Sequence, residues 1–299
     1  KRQIERCKQT LLAQRAARVA PGRDEKQLTA WNALAIRGLA IAGKALGRSD
    51  LIEAASDAVD FTRREMVKDG RLYASHKDGE TRFAAYLDDH AFLLDAILEL
   101  LQARWNSGHL EFAQALAELL LEFFEDTENG GFWFTANDSE QLIHRSKPLA
   151  DEAVPSGNGI AAFALQRLGF MLGETRYLDA AESTLRAAWR AIEEYPHGHV
   201  SLLTALEEYL KHPEIIVIRG AADEIGRWRD SAAKVYAPRR LVFAIPGDET
   251  GLPGALDDRK SLEGETVAYR CLGTHCEMPV TSWEALAGQL AEGGKGRSD

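Results

Sequence analysis

Cysteine is nearly absent from this chain of 299 residues, and the three present, Cys7, Cys271 and Cys276, are too few for the disulfide framework that staples small secreted folds. They fit a reducing cytoplasm, where they would serve as structural thiols. No apolar run reaches the roughly 18 residues that a membrane-crossing helix needs: Phe92-Leu93-Leu94 stops at Asp95, and Leu119-Leu120-Leu121 stops at Glu122. No secretory leader is visible, since the chain opens Lys1-Arg2-Gln3-Ile4-Glu5 as if inside a helix and without a starting Met. The expectation is a fragment of a longer protein. Positive charge is also scarce. The 36 Lys and Arg face 46 Asp and Glu, for a net charge of −10, and the basic residues form no stripe. That disfavours nucleic acid and anionic membrane surfaces as partners.

What the chain does have is helical periodicity. Up to about residue 211 two kinds of helix alternate. Trp31 to Leu46, Ala91 to Leu101 and Gly159 to Leu172 are apolar or small nearly all round, and a fourth such helix begins at His199. Leu51 to Met66, Leu110 to Phe124 and Tyr177 to Ile192 each carry one apolar face opposite charged residues. A helix apolar on every side needs cover on every side, whereas an amphipathic one needs it on one. Alternation therefore predicts an inner layer of buried helices and an outer layer facing water. The buried helices start at unequal intervals, which favours an α/α toroid over an α-solenoid with its fixed repeat. After Pro213 the β-branched run Glu214 to Ile218, a helix over Ala221 to Tyr236 and a strand over Leu241 to Ile245 predict a parallel strand–helix–strand unit. The expected organisation is a mainly α toroid portion over 1–212 and a small C-terminal α/β appendage over 213–299.

Polar residues gather where the buried helices begin. Asp24, Lys26, Trp31 and Asn32 precede or open the first; indoles stack on sugar rings, and carboxylates and amides hold hydroxyls. Tyr86-Leu87-Asp88-Asp89-His90 opens the second. Its two carboxylates sit at a positive helix end that lowers their pKa, which suits bases better than acids, and His90 has the chemistry to move a proton near neutral pH. Asn129-Gly130-Gly131-Phe132-Trp133-Phe134 reads as an aromatic turn closing one end of the ring. Arg145, Lys147, Asp151, Ser156 and Asn158 precede or open the third buried helix. Each cluster also has a plainer reading, in which Asp, Ser or Asn caps a helix and the aromatics are core. Ser156 lacks the nucleophile elbow. Neither His197 and His199 nor Cys271 and Cys276 have a second ligand pair for a metal, and the cysteines lack Cys-x-x-Cys spacing. No metal and no cofactor are expected.

Taken in order, Pro21-Gly22-Arg23-Asp24-Glu25-Lys26 with Trp31-Asn32, Tyr86-Leu87-Asp88-Asp89-His90, Gly130-Gly131-Phe132, Arg145-x-Lys147, Asp151-x-x-x-Pro155-Ser156-Gly157-Asn158 and Tyr269-x-Cys271-x4-Cys276-x-x-Pro279 resemble the carboxy-terminal part of the thioredoxin-domain-containing family that includes spermatogenesis-associated protein 20. That resemblance implies an (α/α)6 toroid similar to N-acylglucosamine 2-epimerases and six-hairpin glycosidases. It also implies an N-terminal thioredoxin-like domain outside this chain, as a partner in the same protein, and a ring only partly supplied here.

The resulting expectation is a sugar-binding or sugar-transforming toroid, isomerase- or hydrolase-like, acting on a small-molecule carbohydrate. Asp88, Asp89, His90 and Asp151 would be catalytic. Asp24, Lys26, Trp31, Asn32, Tyr86, Trp133, Arg145, Lys147, Ser156 and Asn158 would bind substrate. The alternative is a non-catalytic scaffold or redox-linked adaptor for the thioredoxin-like domain.

Overall fold

A computed structural model describes residues 1–140, 143–262 and 264–294. Helix α1 (Arg2–Ala16) buries none of its residues. Strand β1 (Gln27–Leu28) leads into α2 (Thr29–Leu46), and α3 (Ser49–Glu65) returns alongside it. Strands β2 (Val67–Lys68), β3 (Arg71–Lys77) and β4 (Glu80–Ala84) follow, and β3 pairs antiparallel with β1, β2 and β4. Then come α4 (Leu87–Ala103), α5 (Ser107–Phe123), α6 (Gly157–Leu172), α7 (Thr175–Glu194) and α8 (Val200–Leu210).

Helices α2, α4, α6 and α8 pack side by side in that order, with α3 against α2, α5 against α4 and α7 against α6. This is the two-layer arrangement that the alternating periodicity predicts. In α7 the buried set Tyr177, Ala180, Ala181, Thr184, Leu185, Ala188 and Ile192 recurs at three- and four-residue steps, one stripe facing the inner layer. In α4 every residue from Asp89 to Ala103 is buried. Helix α6 ends at Gly173, whose φ of 73° is the left-handed C-terminal cap that glycine adopts without strain.

One expectation needs correction. Helix α2 was expected to be covered all round, yet Trp31, Ala35, Gly38, Ile41 and Ala45 are exposed along one side. The reason is position: α2 stands at one end of the arc, flanked by α4 on one side only among the inner helices described. Helix α8 stands at the other end and exposes Val200 and Leu210.

The last third adds β5 (Glu214–Gly220), α9 (Ala222–Ala232), β6 (Arg240–Pro246), α10 (Ala255–Asp258), β7 (Val267–Leu272), β8 (His275–Cys276) and α11 (Trp283–Gly294). The sheet order is β6-β5-β7-β8, with β5 and β6 parallel as expected and β5–β7 and β7–β8 antiparallel. Side chains alternate along these strands. Ile215, Val217, Leu241, Phe243 and Ile245 join the core of the helical body. Ile216, Ile218, Val242 and Ala244 face the other way, into a second core with Ile225, Trp228, Leu286 and Leu290. Among the described residues no helix is long and apolar enough to cross a membrane.

Candidate functional site

The polar residues at the inner-helix starts are first of all builders. Buried helix ends leave orphan N–H groups that need acceptors. Asp89 supplies two: its carboxylate accepts from Tyr86 N at 2.8 Å, at the start of its own helix, and from Ala30 N at 2.9 Å, in the first turn of α2. Asp151 does the same further along, accepting from Ser156 N at 2.8 Å before α6 and from Ser201 N at 2.9 Å in α8. Ser156 caps α6 through Gly159 N. Asn158 is fully buried and clamps the aromatic turn, accepting from Phe132 N at 2.7 Å and donating to Phe132 O at 3.0 Å and Pro148 O at 2.8 Å. Each inner helix is thereby tied to a neighbour at its N-terminal end.

The remaining expected site residues are scattered. Asp24, Lys26, Trp31 and Asn32 are exposed, with Trp31 at 66%. Tyr86 stacks on Phe134 with ring centres 4.9 Å apart. Lys147 donates to Asp126 at 2.6 Å and to Gly130 O at 2.5 Å, and Arg145 donates to Thr135 O at 2.5 Å. Both cations lie over the Trp133 ring, so this group holds the loop together.

The chemistry expected of the Asp88-Asp89-His90 cluster also changes. Burial pushes Asp88 up to about 6, and pushes Asp89 up to about 7 against its two backbone hydrogen bonds. Desolvation therefore outweighs the helix-end field that was expected to lower both. The His90 imidazole is buried against Phe124, donates from Nδ1 to Tyr86 O at 2.9 Å, and is pulled down to about 4 by burial. It is neutral at physiological pH. For Asp151, burial would raise the pKa, but the hydrogen bonds from Ser201 and Ser156 hold it below the usual carboxylate range.

Asp88 yields a prediction. Its Oδ1 is buried without a hydrogen-bond partner among the described residues, and a Cβ at Gly157 would lie 2.2 Å from it and 2.9 Å from Leu87 Cγ, so any larger residue there must displace both side chains. A carboxyl raised from 3.8 to about 6 holds more protons folded than unfolded in that window, so its contribution to stability falls as pH rises through it. Asp88→Asn should stabilise the protein by about 1–2 kcal/mol at pH 8, allowing for partial exposure of the carboxyl. The gain should vanish near pH 4, and thermal melts across this range check it. An equal gain at both ends would mean that charge burial is not its source.

The concave side of the helix arc offers a different constellation. A cavity of about 410 Å³ is lined from all four inner helices, by Leu34 and Arg37, Phe92 and Asp95, Ile160 and Phe163, and Ser201 and Thr204, with the segment from Asp151 to Pro155 over one end. A second cavity of about 440 Å³ shares Arg37, Phe163 and Thr204 and continues past Lys44, Glu99, Gln102, Arg167 and Glu208 to the residues 229–240. Together they form one groove. Of the fourteen residues expected at the site, Asp151 alone lines it.

Charges in this groove are paired in sequence along its wall. Arg37 Nε lies 2.6 Å from Asp95 Oδ2, and Lys44 Nζ lies 3.2 Å from Glu99 Oε2. Arg167 reaches Glu99 at 3.1 Å and grips Glu208 through Nε at 2.9 Å and Nη2 at 2.6 Å. Its guanidinium lies 3.9 Å from the centre of the Phe163 ring. Burial raises the Asp95 carboxyl, with Arg37 opposing and Glu99 reinforcing. Burial acts likewise on Glu99, but Lys44 and Arg167 overcome it and hold the carboxylate ionised. The wall thus carries two carboxyls shifted in opposite directions, Asp95 upward by burial and Glu99 downward by its cations, beside amide, hydroxyl and aromatic groups. These residues were missed in sequence. The available signal was a carboxylate or arginine inside a helix otherwise apolar all round: Asp95, Glu99 and Arg167.

No family model matches the chain. A human protein named spermatogenesis-associated protein 20 is 28% identical over 288 residues, covering 91% of this chain and 37% of its own length. The protein of the same name from Rattus norvegicus is 28% identical over 275 residues, covering 86% of this chain and 35% of its own. The resemblance carried by the ordered motifs is therefore matched along nearly the whole chain, and the chain spans little more than a third of these relatives. Among solved structures, a GH76 α-mannanase from Bacteroides thetaiotaomicron superposes with a TM-score of 0.50 at 12% identity, over 83% of this chain and 66% of that one. The shared feature is the fold, that of an α/α toroid.

Proposed function

We propose that the groove along α2, α4, α6 and α8 binds a carbohydrate and that the chain is the ring portion of a sugar-transforming protein, isomerase- or hydrolase-like. The observation that carries this reading is the convergence, from four inner helices, of two carboxyls (Asp95 and Glu99), Arg37, Gln102 and Thr204 around the aromatic rings of Phe92 and Phe163. Polyhydroxylated ligands need this mixture: acceptors and donors for hydroxyls, an apolar face for ring C–H groups, and a carboxyl able to move a proton. The combined cavities fall in the size range of small-ligand sites. The fold shared with an α-mannanase is compatible with the reading but shows no substrate.

Under this proposal the proton-moving role passes from His90 to Asp95. The test is a thermal-shift screen of neutral and acidic mono- and oligosaccharides. A ligand at a hundred times its Kd should raise Tm by about 5–10 °C, and Asp95→Asn should abolish that rise or cut turnover of the same sugar by about a hundredfold or more. Silence across the panel, or a rise unaffected by substitutions at both Asp95 and Phe163, would sink the proposal.

A further inference from the structure

Cys271 and Cys276 are not the separate thiols that the sequence suggests. They are direct cross-strand partners in the β7–β8 hairpin and are joined by a disulfide. The two ends of the bridge differ. Cys271 is fully buried and packs in the main core, whereas Cys276 is exposed. Cys276 is therefore the end of the bridge that faces solvent.

Beside the bridge lies Arg259. It is 5% exposed, and its guanidinium donates to Met171 O at 3.0 Å, near the C-terminal end of α6. Its Nη2 lies 3.5 Å from Cys271 Sγ and 3.9 Å from Cys276 Sγ. Among the described residues no carboxylate lies within ion-pair distance of it; Arg219 likewise bonds only carbonyls, whereas the buried Arg167, Arg240 and Arg270 are salt-bridged. Burial pulls the Arg259 guanidinium below the usual arginine range. Asp258 opposes that shift from beyond ion-pair distance; a buried cation beside sulfur with no paired carboxylate is costly to keep, and a thiolate at Cys271 would supply a counter-charge in contact.

We infer that the Cys271–Cys276 bridge is a thiol–disulfide exchange site, attacked at Cys276 by a dithiol reductant, with Cys271 leaving as a thiolate held by Arg259. In the first step a reductant thiolate forms a bond to Cys276 Sγ, and the bond between Cys276 and Cys271 breaks with its electron pair going to Cys271 Sγ. In the second, the other thiolate of the reductant attacks its own first sulfur and releases Cys276. The reductant ends as a disulfide, the two cysteines end reduced, and the two thiol protons pass to the released sulfurs or to water. Exchange is faster when the departing thiol is more acidic, and a neighbouring arginine makes a thiol more acidic. Arg259 is on this account a positioning residue that sets the rate and the equilibrium of exchange.

The test uses the full chain carrying Cys7→Ser, so that only this pair reports. Dithiothreitol without denaturant should release two thiols while the circular dichroism spectrum stays native. Brief reaction with the monothiol glutathione, quenched with iodoacetamide and followed by peptide mapping, should place the glutathione on Cys276 and the alkyl group on Cys271. Arg259→Gln should slow reduction by about tenfold or more, with Arg259→Lys intermediate. The inference is overturned by a bridge that resists dithiothreitol until the protein is unfolded, by isolation of the chain with both thiols free under oxidising conditions, or by an unchanged rate in a natively folded Arg259→Gln. If that variant fails to fold, the wild-type reduction and mapping still decide.

Discussion

Arg167→Met should lower the melting temperature by about 10 °C. Arg167 sits in the inner layer with its side chain almost wholly buried and neutralises two carboxylates on different helices, Glu208 of α8 and Glu99 of α4. Methionine fills similar space but leaves Glu208 buried with no cation, and removing one partner of a buried pair costs about 3–5 kcal/mol. For a chain of this size each kcal/mol shifts Tm by about 2–4 °C. Glu99 keeps Lys44, so the loss should concentrate on Glu208. Adding Glu208→Gln should therefore restore more than half of it. Calorimetry on the single and double variants checks both statements, and a double variant no better than the single one would show that packing against Phe163, and not the stranded charge, is what was lost.

Asn158→Ala is the second large effect, about 3–5 kcal/mol. The side chain makes three hydrogen bonds from a site with no solvent access. Its removal strands the Phe132 N–H and the Phe132 carbonyl, each costing about 1–3 kcal/mol less whatever relaxation recovers, and leaves Pro148 O with the Ser156 hydroxyl alone. Asn158→Asp sharpens the test. Aspartate has the same shape and still accepts from Phe132 N, but when ionised it sets a carboxylate against the two carbonyls to which asparagine donates. It should be as damaging as alanine at pH 8 and milder at pH 4, where the carboxyl is protonated. Equal Tm values for the two variants at both pH values would argue against this account.

These two residues mark what could be read from the sequence and what could not. Period and composition located the helices from Trp31 to Ile192 to within a few residues, because a buried helix and an amphipathic one leave different patterns that need no partner to be recognised. The strand–helix–strand unit after Pro213 was legible for the same reason. Asn158 was also conspicuous, but its role was not. A polar residue at the start of a buried helix looks alike in sequence whether it faces a ligand or satisfies a neighbour's backbone, and only the distance to Phe132 and Pro148 separates the two. Arg167 shows the opposite failure. It stands alone in Ala161 to Leu172, without a motif around it, and its partners Glu99 and Glu208 are far away in sequence. A groove built from one or two side chains per helix leaves no local pattern. Cys271 and Cys276 were conspicuous as well, but a five-residue separation implies a bridge only once the hairpin register is known.

The alternation along β5 has a consequence for how this chain comes to be folded. Its odd-numbered residues complete the core behind the inner helices, and its even-numbered ones complete the core under α9 and α11, while its two edges are taken by β6 and β7. During synthesis β5 emerges about fifty residues before β7 (Glu214 against Val267), and until β7 arrives one row of its backbone groups stands open. Such an unpaired strand is a hazard for association with other chains. Closing this sheet is a long-range event, slower to form than the local helices that precede it.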